Sequence, residues 1–89
     1  MRLDKFLQVS RLVKRRTVAN ELCDHGRVKI GGRSVKAGTT VKEGDELQLK
    51  FGAKTMVVKV VRVPQKAVPV QEAPTLYEVV SEITEKPSL

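Results

Sequence analysis

Apolar residues recur with a helical period at the start of the chain. Leu3, Phe6, Leu7 and Ser10 fall at i, i+3, i+4 and i+7, one face of a short helix. Asp4 stands in its first turn, where the macrodipole favours an acid, and is placed to orient Arg2 or Arg11. Arg2 and Lys5 share another side of that helix. Val18, Ala19, Leu22 and Cys23 form a second stripe, predicting a helix from Thr17 to about His25, with Thr17 as N-cap and Gly26 as the C-terminal stop. From Arg27 the period changes to two. Val28 and Ile30 alternate with Arg27 and Lys29, and Gly31-Gly32 supplies the positive φ angles of a tight hairpin turn, with Val35 opening the return strand.

After the turn Glu43-Gly44-Asp45, Leu47, Leu49 and Phe51 alternate with Gln48 and Lys50, and a further strand run spans Met56 to Val63. That run shows no single inside face, because Lys59 and Arg62 fall on opposite parities. Pro64, Pro69 and Pro74 then interrupt both helix and central strand. Beyond them Leu76, Val79, Val80 and Ile83 again sit at i, i+3, i+4 and i+7, predicting a short amphipathic tail helix. The expected class is α+β: two N-terminal helices packed on a small antiparallel sheet, with a short C-terminal tail helix. Residues 1–63 are expected to form the domain, 64–74 a proline-containing linker and 75–89 an acidic amphipathic tail.

Charge narrows the function. The 89 residues carry a net charge of +7, and a field of that sign concentrates polyanions near the protein. Residues 1–63 hold 15 Lys and Arg against 6 Asp and Glu, whereas residues 64–89 hold 2 against 4, so the basic face belongs to the N-terminal part. Lys14-Arg15-Arg16 lies directly before the second helix, where the macrodipole is positive and added cations oppose stability. A helix N-terminus flanked by guanidinium groups suits a phosphate, and a local rule broken in this way marks a candidate site. Arg2, Lys5, Lys29 and Arg33 extend the patch if the helices pack side by side on the sheet. Arginine predominates, and its planar fork matches phosphate oxygens. Aromatics make up 3% of the chain; Phe6 and Phe51 read as core, which leaves Tyr77 and makes base stacking an improbable mode.

Catalysis is not expected. His25 is the sole histidine and Cys23 the sole cysteine, too few ligands for a zinc site. Cys23 lies on the apolar stripe. No cofactor or metal is implied, and a lone thiol suits the reducing cytoplasm. No apolar stretch follows Met1 to Lys5 and no run approaches a membrane span, so neither a signal peptide nor a membrane partner is expected. Net charge alone also permits a binder of acidic proteins or anionic lipid.

Arg2-Leu3-Asp4-Lys5-Phe6-Leu7, then Arg16-Thr17-Val18-Ala19 with Leu22 and Gly26, then Val28-Lys29-Ile30-Gly31-Gly32 and Gly44-Asp45, resemble the RNA-binding domain named after ribosomal protein S-four. The resemblance covers about residues 1–51 and departs from the common pattern at Arg15 and Gly31. It implies an αL RNA-binding motif with Arg2 and Arg16 as RNA contacts. The opening residues, the Lys-Arg-Arg run and the short tail are similar to a family of bacterial ribosome-associated quality-control factors. That similarity implies a monomer bound to large-subunit ribosomal RNA and peptidyl-site tRNA of obstructed complexes. It also implies support of alanine tailing by a partner that delivers alanyl-tRNA. The alternatives are a heat-shock-type factor binding free large subunits that bear peptidyl-tRNA, whose relatives have a longer and more basic C-terminal extension, or a generic structured-RNA-binding module.

Overall fold

The computed structural model describes residues 1–66 and 68–84. Two helices, α1 (Leu3–Val9) and α2 (Arg16–Asp24), precede β1 (Val28–Ile30), β2 (Arg33–Ser34), β3 (Glu46–Phe51) and β4 (Lys54–Val60). A 3-10 helix (Val70–Leu76) then leads into β5 (Tyr77–Thr84). The sheet is antiparallel throughout, in the order β2-β1-β3-β4-β5. The helix faces read from the sequence are the buried ones except at Val18: Leu3, Phe6 and Leu7 of α1 and Ala19 and Cys23 of α2 close on Val28, Leu47, Leu49, Val58 and Val60 of the sheet, with Leu22 partly buried against them, whereas Val18 is 41% exposed. Phe51 is only half-buried, packed at the margin of that core.

Both helices end in left-handed backbone. Gly26 takes φ +68°; its N–H donates to the Cys23 carbonyl and that of Arg27 to the Leu22 carbonyl, the paired bonds of a Schellman cap. After α1 the left-handed position is Arg11, at φ +64°, where a side chain is strained. The hairpin glycines Gly31 and Gly32 take φ +60° and +84° as the turn requires. The start of α1 is tied to the loop before β3: Leu3 N–H donates to Thr39 O, Asp4 N–H to Ala37 O and Val41 N–H to Met1 O.

The structure corrects the sequence reading in three places. Helix α2 begins one residue earlier than expected, with Arg15 at the N-cap position and no side-chain cap, so Thr17 lies inside the helix. The strand expected over Met56 to Val63 ends at Val60. Val61 and Arg62 turn away and donate their N–H groups to the Leu76 carbonyl, which removes the parity conflict between Lys59 and Arg62.

The third correction is the tail. Leu76, Val79, Val80 and Ile83 do not line one helical face. Leu76 closes the 3-10 helix fully buried in the core, whereas Val79, Val80 and Ile83 lie in β5 at 49%, 55% and 59% exposure. Tyr77, Val79, Val80, Ile83 and Thr84 are β-branched or aromatic, and the free edge of β4 offers the strand a ladder, from Val60 opposite Tyr77 to Lys54 opposite Thr84, interrupted only at Val80. A register shift at Val57/Val58 accommodates the extra residue. Helical spacing alone, without a long helix to nucleate, loses to that pairing. The remainder of the expected tail, residues 85–89, lies outside the described residues.

Candidate nucleic-acid interface

Helices α1 and α2 pack against each other, and their N-terminal ends bring two arginines onto one carboxylate. Arg2 holds the N-cap position of α1 and Arg16 is the first residue of α2. Asp4, 2% exposed, sits between them. Its Oδ1 accepts from Arg2 Nε at 3.3 Å and from the Lys5 N–H at 2.8 Å. Its Oδ2 lies 3.3 Å from Arg16 Nε and accepts from Arg2 Nη2 and Asn20 Nδ2, each at 3.5 Å.

Burial opposes the charged form of Asp4, but the hydrogen bonds from Arg2, the Lys5 backbone and Arg16, with the Arg16 charge, outweigh it and hold the carboxyl below its ordinary value. Asp4 is therefore ionised at neutral pH. The Arg2 and Arg16 side chains remain 55% and 47% exposed. Nε is the Arg16 nitrogen nearest Asp4, and the half-exposed guanidinium fork is of the kind that grips phosphate.

Two depressions flank this pair. One, of about 500 Å³, is lined by Met1, Arg2, Lys5, Arg16, Val63, Pro64 and Gln65. The other, of about 520 Å³, is lined by Arg2, Asp4, Arg16, Thr17, Asn20 and Glu21. Arg2, Lys5 and Arg16 thus share one surface. Lys14 and Arg15 are exposed in the turn ahead of α2 and line neither depression. Lys29 stands on the far face of the sheet, in a different groove, and Arg33 is exposed on β2.

The shared anchor is what the sequence reading missed in part: Asp4 orients Arg2 as expected, but its second arginine is Arg16 and not Arg11. Asn20, one turn into α2, adds a further donor to the carboxylate. No local pattern signals a contact between two helices joined by an irregular turn.

Cys23 is a free, buried thiol. Burial, then the charges of Asp4 and Asp24, push its thiol up to about 11, so it stays protonated at neutral pH. His25 Nδ1 lies 2.7 Å from the Glu21 carbonyl, within its own helix end. Among the described residues no group of three His, Cys, Asp or Glu side chains is placed to hold a metal ion, and no helix is long and apolar enough to cross a membrane.

The S4 domain family profile matches residues 1–47. A Halalkalibacterium halodurans protein named RQC P-site tRNA stabilizing factor is 56% identical over 82 residues, covering 92% of each chain. A Bacillus subtilis protein of the same name is 48% identical over 82 residues, covering 92% of this chain and 94% of its own. Among solved structures, trimeric Vibrio cholerae Heat Shock Protein 15 superposes with a TM-score of 0.83 at 26% identity, over 91% of this chain and 82% of its own.

Proposed function

The chain belongs to the S4 domain family and, within it, to the RQC P-site tRNA stabilizing factors, and on that premise we propose that it grips RNA phosphates with Arg2, Lys5 and Arg16. The RNA is the peptidyl-site tRNA and the adjoining ribosomal RNA of obstructed large subunits. The observation that carries this reading is the Asp4 carboxylate shared by Arg2 and Arg16. It fixes two long side chains from different helices before RNA arrives, so less rotamer freedom is lost on binding. Lys14 and Arg15 add steering charge beside them, and Lys29 and Arg33 contact RNA from the sheet side.

Holding tRNA in the peptidyl site supports alanine tailing of the stalled chain by a factor that delivers alanyl-tRNA. The protein does this as a cytoplasmic monomer, without chemistry of its own. A heat-shock-type role on free large subunits is the weaker reading, because residues 64–89 are net acidic and the identity to the quality-control relatives is the higher.

The test is co-sedimentation of wild type, Arg2→Ala and Arg16→Ala with purified large subunits carrying or lacking peptidyl-tRNA. Selective binding to tRNA-bearing subunits, abolished in both variants, is the expected result. Equal binding to all RNA would reduce the protein to a generic RNA-binding module.

A further inference from the structure

Strand β5 closes one side of the sheet, and its outer edge meets no further strand among the described residues. Such an edge carries a row of backbone N–H and C=O groups left unpaired within the chain. The opposite edge of the sheet is blunted, because β2 is two residues long and carries Arg33. β5 runs for eight residues, and Tyr77 to Thr84 contain no Lys, Arg or Pro to deter pairing.

The exposed apolar side chains of β5 lie on both faces of the sheet. Val79 stands opposite buried Val58, on the face that the helices cover. Ile83 stands opposite Thr55, whose neighbour Met56 packs on the core, so Thr55 and Ile83 belong to the far face. Val80, also exposed, is the bulged residue between them. A folded surface laid on either face would cover Val79 or Ile83 alone, whereas a strand added in the plane of the sheet flanks all three. The edge therefore selects extended chain as its occupant. Its charges select the composition. Glu78, opposite Lys59, and Glu82, opposite Met56 and paired with Lys54 at 2.7 Å, put one exposed acid on each face. Both repel phosphate, and a second β5 would bring the same acids and no cation.

We propose that the β5 edge docks an extended basic segment of a partner protein, which joins the sheet as a further strand. Lys or Arg of that segment stands against Glu78 and Glu82, and β-branched residues stand against Val79 and Ile83. The bulge at Val80 divides the edge, so the added strand pairs along Tyr77–Val79 and Ser81–Thr84. Backbone hydrogen bonds supply the affinity, and the two acids choose among strands. None of these residues lines the depressions beside Arg2 and Arg16, so the surface is separate from the arginine site.

An amide-detected NMR titration of the full chain tests this with a short capped peptide of Lys, Val and Thr, its Lys residues spaced to face Glu78 and Glu82. The peptide should shift the amides of Tyr77 to Thr84 and leave those of Leu3 to Val9 in place. The same peptide N-methylated at alternate backbone positions keeps its charge but cannot complete a ladder, and should not bind. Glu78→Lys/Glu82→Lys turns two attractive surface pairs repulsive and should weaken binding of the unmethylated peptide about tenfold. Shifts absent from β5 in wild type would overturn the site, and equal binding of the methylated peptide would reduce the contact to charge and overturn strand addition. Shifts of β5 that grow with protein concentration alone, with a doubled mass in sedimentation, would make a second copy the occupant and overturn the basic partner. Shifts of β5 on adding an RNA hairpin in place of the peptide would overturn a protein occupant.

Discussion

Asp4 Oδ2 lies 3.3 Å from Arg16 Nε, a contact between the first turns of two helices in which the acid is almost fully buried and the base half-exposed. Asp4 is thus a positioning residue for an arginine on another element. Asp4→Asn raises the net charge yet should weaken RNA binding, because Arg2 and Arg16 lose their common anchor. An increase in affinity, read by anisotropy, would show that charge alone governs binding. The folded carboxyl titrates below its unfolded value, so its stabilisation is present in full above about pH 4 and is lost as pH falls through the folded value. The stability gap between wild type and Asp4→Asn in urea should therefore shrink between pH 7 and about pH 3. A gap independent of pH would contradict the ionised anchor.

Arg15 and Arg16 are adjacent in sequence and unlike in structure. Arg16→Glu places a second carboxylate beside buried Asp4 and should cost roughly 1 to 3 kcal/mol of stability. Arg15→Glu, at an exposed site without a partner among the described residues, should stay within about 0.5 kcal/mol. Chemical denaturation of the two variants side by side decides this. Equal losses would mean that the Asp4 contact adds nothing.

Arg11 occupies left-handed backbone at φ +64°. Arg11→Gly relieves the side-chain strain, partly offset by the greater freedom of glycine in the unfolded chain, and should stabilise by about 0.5 to 1 kcal/mol. A rise in melting temperature is the expected readout, and a fall would show that the Arg11 side chain contributes packing that outweighs the strain.

Leu76 is fully buried, and its carbonyl accepts from both Val61 and Arg62. Leu76→Ala should cost about 2 to 5 kcal/mol, the range for a large core side chain truncated without collapse of the site. Truncation after Val63 would in addition strip β4 of its neighbour β5. Wild-type stability in Leu76→Ala would mean that the C-terminal segment is dispensable to the fold.

The sequence by itself determined the elements whose signals are local. The face of Leu3, Phe6 and Leu7, the stop at Gly26, the Gly31-Gly32 hairpin and the alternation through Leu47 and Leu49 each follow from the spacing of near neighbours, and each is where the sequence places it. The basic character of the N-terminal part was legible for the same reason, since charge is a property of composition. Tertiary structure decided the rest. Residues 77–84 carry both a helical spacing and β-forming side chains, and only the open edge of β4 selects between them. The union of Arg2 with Arg16 depends on how two helices cross, and the separation of Lys29 from that pair depends on which face of the sheet the helices cover. Those outcomes are set by contacts between residues distant in the chain, which no local period encodes.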